Sequence, residues 1–294
     1  MRIDSILTIL DKPKHEQVAL ERALTLAERT RAPLTLAAFC YQPLASGGAE
    51  FTLAEQDALR DRLVAERRQW QRELAAAPRA KRLDIRLSTV WTDDIAGWVA
   101  RATESAENTL LVKSVHKSRT LLHTPLDWRL LREVRVPILL AQQRKRRTMR
   151  NILAALDLRT VDRTHQRLNR KVLDAAMTFG RLFDAQVHCF YAVEVSQVLR
   201  DLDVVDTRRA QEKARRAARG ALEELLEPHG LSARDVHFPV GKLGQAAAAI
   251  GRQVRADLLV VGTAARRVRQ KLGLGNSAER LVTKATCDVL AVHP

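Results

Sequence analysis

The chain repeats itself at about half its 294-residue length, and few folds allow that. Ser5-Ile6-Leu7-Thr8-Ile9-Leu10-Asp11 returns 146 residues later as Asn151-Ile152-Leu153-Ala154-Ala155-Leu156-Asp157. Asn108-Thr109-Leu110-Leu111-Val112 returns after 148 residues as Ala256-Asp257-Leu258-Leu259-Val260. Val136-Pro137-Ile138-Leu139-Leu140 returns after 151 as Cys287-Asp288-Val289-Leu290-Ala291. Three apolar runs in one order with a slowly drifting offset indicate a duplicated unit with small insertions. The expected boundaries are a first domain at 1–143, a basic linker at 144–150 and a second domain at 151–294.

Within each copy, short apolar runs alternate with longer amphipathic stretches. In the first, strands are expected near 5–11, 33–40, 82–91, 108–114 and 137–142, with helices near 15–30, 51–77, 94–105 and 126–134. In the second, strands are expected near 150–157, 186–195, 235–241, 257–263 and 287–293, with helices near 166–183, 206–228, 244–254 and 277–285. Strand–helix alternation builds a parallel sheet. Aromatic residues are only 4% of the chain, and Leu-, Val-, Ile- and Ala-rich runs suit strands covered on both faces. The predicted class is α/β: two tandem, doubly wound, Rossmann-like domains, each a five-stranded parallel sheet flanked by helices. Such sheets bind ligands beyond the carboxyl ends of the strands, where strand order reverses.

Several function classes fall away. No run approaches the roughly 18 apolar residues of a spanning helix. The apolar stretch at the start reads as a strand, not a signal peptide, which points to the cytoplasm. Cys40, Cys189 and Cys287 are far apart and give neither a disulfide framework nor a zinc signature. His188 and Cys189 are neighbours on a strand, so they face opposite sides and cannot act as base and nucleophile. His116 and His123 are expected to be loop residues, and Trp91 and Trp98 packing residues.

The formal charge of +16 favours anionic partners: nucleotides, nucleic acid or acidic lipid. Because the arginines are scattered over many segments, solvated outer faces are the first account of it, as of the linker around Arg144, Lys145, Arg146 and Arg147.

The chemistry concentrates at the end of the second copy. An apolar strand, Leu258 to Val261, runs into Gly262. A basic loop with Arg266, Arg267, Arg269 and Lys271 follows, and Gly275-Asn276-Ser277 then opens a helix. Glycine admits a close ligand, free N–H groups at a helix start favour an anion, and the cations add charge.

This stretch resembles the universal stress protein pattern Gly-x2-Gly-x9-Gly-Ser/Thr, here Gly262-x2-Ala265-x9-Gly275-Asn276 followed by Ser277. The resemblance extends to Asp157, at the position of the acidic residue that meets adenine, and to Ala192, a small residue lining the same pocket. Thr124-Pro125-Leu126-Asp127-Trp128-Arg129-Leu130-Leu131-Arg132 resembles the tandem class called E. Taken together, these imply a stress-response regulatory protein holding ATP or AMP in its C-terminal domain, with no metal ligand named. Ala265 replaces the second glycine and Asn276 the hydroxyl residue, departures that bear on tight triphosphate binding.

The first copy departs further. Ser114 stands where Gly262 does, Thr124-Pro125 where Gly275-Asn276 does, and Pro125 removes an N–H donor. No conventional nucleotide site is expected there. The absence of a P-loop and of any catalytic cluster predicts at most weak hydrolysis. The alternative is a protein without nucleotide, whose basic surface engages nucleic acid or an anionic lipid-like ligand. The family resemblance also implies internal pairing through the strands at 137–142 and 287–293, with a homodimer possible in principle.

Overall fold

The computed structural model describes residues 1–43, 52–106, 108–115, 126–142, 148–158, 163–194, 206–263, 281–282 and 284–294. The chain divides into two compact units, Arg2–Gln143 and Arg144–Pro294, with Met1 joining the second.

The N-terminal unit contains β1 (Ser5–Ile9), α1 (Val18–Thr30), β2 (Leu34–Cys40), α2 (Leu53–Ala75), β3 (Ile85–Trp91), α3 (Ile95–Ala102), β4 (Thr109–Ser114), α4 (Leu126–Glu133) and β5 (Ile138–Ala141). Its strands lie in the order β3-β2-β1-β4-β5, and every pair is parallel. Strand order therefore reverses between β1 and β4.

Each element follows from its residues. The β4 run Thr109–Ser114 is buried throughout, as befits a central strand covered on both faces. Helix α2 starts at a capping box: Thr52 accepts from the Glu55 amide, and the Glu55 carboxylate accepts from the Thr52 amide. Gln71 of α2 is fully buried and donates to the carbonyls of Leu36 and Ser88, fixing the helix across β2 and β3. Arg79 ties the segment after α2 to Glu21 and Glu28 of α1, and α3 packs on α4. Trp98 meets Phe39 edge-on with ring centres 5.3 Å apart, and Trp91 tilts against Tyr41 at 5.7 Å. Both are packing residues.

The C-terminal unit contains β6 (Asn151–Ala155), α5 (Arg163–Phe183), β7 (Gln186–Phe190), α6 (Thr207–Leu226), β8 (Val236–His237), α7 (Leu243–Gln253), β9 (Leu258–Gly262) and β10 (Asp288–Val292). The order is β8-β7-β6-β9-β10, again all parallel, with the reversal between β6 and β9. The strand expected over 235–241 is only two residues long. Pro239 has no N–H to continue the ladder, and Gly241 adopts a φ of 143°, so pairing resumes only as a Val193–Val240 bridge. Helix α5 starts three residues earlier than expected. The helix expected over 277–285 lies largely outside the described residues.

All three cysteines are buried and free. Burial pushes the Cys189 thiol up to about 12, so no thiolate is available there near neutral pH. No helix among the described residues is long and apolar enough to cross a membrane.

Candidate functional site

In an open α/β sheet, the reversal of strand order leaves a crevice at the carboxyl ends of the two central strands. Each unit has one, and their chemistry differs.

In the N-terminal unit, Asp11 follows β1 and Ser114 ends β4. Both are buried. The Ser114 hydroxyl donates to Asp11 Oδ2 at 2.5 Å and accepts from the Ala19 amide at 2.8 Å. Ala19 is in the first turn of α1, where amides lack helical partners and anions normally bind. The N-cap residue, Gln17, makes no capping bond of its own; its side-chain oxygen instead accepts from the Asp11 amide at 3.1 Å. The serine thus caps α1 from a neighbouring strand and occupies the crevice with protein atoms. Next to it, the Lys113 ammonium lies 2.7 Å from Asp127 Oδ1 of α4, and both side chains are buried. Lys113 also donates to the Ser114 carbonyl at 2.7 Å.

In the C-terminal unit, Asp157 lies two residues beyond β6 and is half-buried. Asn169 of α5 clamps its backbone: the Asp157 amide donates to Asn169 Oδ1 at 3.0 Å, and Asn169 Nδ2 donates to the Asp157 carbonyl at 2.8 Å. The clamp engages the main chain of Asp157 and so fixes where its side chain starts from. A cavity of about 50 Å³ adjoins this point between α5 and α6, lined by Asp157, Gln166, Asn169, Arg170, Glu224 and Leu225. That volume is a fraction of the roughly 300–1,000 Å³ of ordinary ligand pockets.

Gly262 ends β9, where a Cβ would come within 2.6 Å of Leu168 Cγ of α5. A glycine is needed here for the approach of helix to strand, a reason independent of any phosphate. Ala192 is buried just after β7 and does not line the cavity beside Asp157. Ala265, Arg266, Gly275, Asn276 and Ser277 lie outside the described residues, as do His116 and His123. Among the described residues, no group of three metal-ligating side chains is placed to hold a metal ion.

Two residues beyond the sequence expectations stand at the ends of β9 and β10. Thr263 donates its hydroxyl to the Val292 carbonyl at 3.1 Å and sits 2.8 Å from His293 Nδ1. The Thr263 hydroxyl therefore faces both the Val292 carbonyl and a ring nitrogen of His293. Nε2 is buried and has no hydrogen-bond partner among the described residues. Burial, reinforced by nearby Lys171, lowers the His293 pKa to about 4. Asn169 had one sequence signal, a polar residue on the buried face of an amphipathic helix; Thr263 and His293 had none.

The universal stress protein family model matches residues 2–142 and, a second time, 149–293. The chain belongs to the universal stress protein family. It is a tandem universal stress protein, with one family domain in each unit. It is 22% identical to a universal stress protein E homolog from Haemophilus influenzae, over 100% of this chain and 98% of that protein. Universal stress protein E of Escherichia coli K12 is 23% identical over 99% of this chain and 94% of its own length. A solved structure of a protein of unknown function from Pseudomonas aeruginosa aligns with TM-score 0.69 and 25% identity, covering 99% of this chain and 93% of that one. A universal stress protein from Archaeoglobus fulgidus aligns with TM-score 0.60 at 13% identity, covering 98% and 96%, a likeness of fold alone.

Proposed function

We propose that this tandem universal stress protein is a stress-response regulator that binds one adenine nucleotide, ATP or AMP, per chain at the β6/β9 crevice. The contrast between the two crevices carries the reading. In the N-terminal unit the Ser114 hydroxyl takes an α1 amide, whereas in the C-terminal unit Gly262 stands at that place and a cavity adjoins Asp157. In this reading Asp157 meets the base and Ala192 supports the pocket. Gly262, Ala265, Arg266, Gly275, Asn276 and Ser277 surround the phosphates, as the family motif implies. The proposed role is binding that changes shape or partners, not turnover.

Calorimetric titration of the full chain with ATP, AMP and GTP tests this. The expected result is adenine-selective binding with a stoichiometry of one. Asp157→Ala weakens it about tenfold, the size of one lost hydrogen bond to a charged group. Binding that ignores both the base and Asp157, or two equivalent sites per chain, overturns the proposal.

A further inference from the structure

Helices α2 and α6 occupy the same place in the two copies, each joining the second strand to the third, yet they differ in charge. On α2, Arg60, Arg62, Arg67, Arg68 and Arg72 are balanced by Glu55, Asp57, Asp61, Glu66 and Glu73. On α6, Arg208, Arg209, Lys213, Arg215, Arg216 and Arg219 stand among residues 208–219 with Glu212 as the only acid. All six cations are exposed.

Their arrangement is one-sided. At 3.6 residues per turn the six fall within an arc of about 160° and span about 17 Å of helix. Ala218, Leu222 and Leu225 lie off this arc and are buried in their own domain. Arg219 pairs with Glu223 at 2.9 Å, and the Arg215 guanidinium lies 5.3 Å from the centre of the Phe238 ring. Arg208, Arg209, Lys213 and Arg216 have no carboxylate partner among the described residues. Glu212 lies on the same arc but pairs with none of these four among the described residues, so the face keeps a net positive charge that a polyanion neutralises.

We propose that the basic face of α6 docks the phosphodiester backbone of double-stranded nucleic acid without reading its sequence. Five of the six cations are arginines, whose planar forks match phosphate oxygens. A membrane surface fits less well. Interfacial helices insert an apolar face, and the apolar face of α6 is already committed to the domain core. The exposed large apolar side chains among the described residues, Tyr41, Leu53 and Leu87, all belong to the N-terminal unit. No aromatic residue on the arc offers a stacking platform, which argues for a duplex over a single strand.

The test is fluorescence anisotropy of the full chain with a labelled random 20-base-pair duplex at 50 and 200 mM KCl. Four phosphate contacts give a loss of roughly 100-fold in affinity across that salt range. Replacing Arg208, Arg209, Lys213 and Arg216 with Gln weakens binding at 50 mM at least about tenfold and flattens the salt dependence. Replacing the exposed Arg60, Arg62, Arg68 and Arg72 of α2 with Gln removes the same net charge and leaves binding within a few-fold. Circular dichroism checks that both variants keep their helices. Arg208→Gln with Arg209→Gln, confined to the first turn of α6, repeats the test with a smaller change. The proposal fails if the parent chain ignores the duplex at 50 mM, or if the α6 variant binds like the parent. It also fails if the α2 variant is equally weakened, or if the chain prefers phosphatidylserine vesicles to the duplex.

Discussion

Asp127→Ala lowers the unfolding free energy of the N-terminal unit by about 3–5 kcal/mol, the cost of leaving a buried charge without its partner. The Lys113 ammonium and the Asp127 carboxylate are 2.7 Å apart, with side chains only 7% and 9% exposed. Lys113 is on the central strand β4, so it cannot carry its charge out to water without breaking the sheet. Among the described residues, removing the carboxylate leaves the ammonium with the Ser114 carbonyl as its partner. Lys113→Met combined with Asp127→Leu removes both charges and refills the volume, so it recovers to within about 1–2 kcal/mol of the parent. The C-terminal copy makes the same exchange naturally: Val261 precedes Gly262 where Lys113 precedes Ser114, and Ala278 is at the position matching Asp127. Urea unfolding followed by tryptophan fluorescence measures this cleanly, because Trp70, Trp91, Trp98 and Trp128 all lie in the N-terminal half. A loss below about 1 kcal/mol in the single variant, or a double variant no better than the single, means that the pair does not anchor α4.

That ion pair shows what a sequence yields and what it withholds. Near-continuous apolar runs such as Ile6 to Leu10, broken only by Thr8, and Leu258 to Val261 announce central parallel strands, because strands covered on both faces stay apolar instead of alternating. Their repetition also separates the two units. Lys113 and Asp127 are visible as charges at the edges of such runs, but their meeting depends on how α4 settles on β4, a tertiary fact. Asp157 was legible from its place at a strand end. Its clamp was not, since Asn169 bonds to main chain twelve residues away, and main-chain partners leave no residue-type signature. Gly262 shows the opposite effect. Its type suggests a phosphate loop, while its surroundings show a helix side chain where a Cβ would be. Both demands can hold at one position, so the glycine alone does not discriminate between them.

Ser114 is the residue on which the two copies part. A hydroxyl at the end of β4 supplies both a donor for Asp11 and an acceptor for the start of α1, and the crevice closes on its own atoms. A glycine at the same place in β9 supplies neither. Among the differences between the two copies, this one gives the N-terminal crevice a hydroxyl that bonds both Asp11 and α1.

Acidification weakens the C-terminal unit through His293. Its folded-state pKa of about 4 lies below the ordinary value of 6.5. Above pH 6.5 the ring is neutral in both the folded and the unfolded chain, and the contribution is fully present. As pH falls from 6.5 towards 4, the unfolded chain takes up a proton that the folded chain refuses, and stability is lost. The loss levels off below 4 at about 3 kcal/mol. The refusal has a local cause: the ring is buried, its Nε2 has no hydrogen-bond partner among the described residues, and a charged ring would face Lys171. His293→Asn keeps a hydrogen-bonding group beside Thr263 but cannot titrate, so the parent should lose about 3 kcal/mol more than the variant between pH 7 and pH 4. Amide exchange of the β10 residues, read by mass spectrometry at the two pH values, follows this unit separately from the tryptophan-bearing one. Equal losses in parent and variant would mean that His293 titrates near its ordinary value and that its site is wetter than the geometry shows.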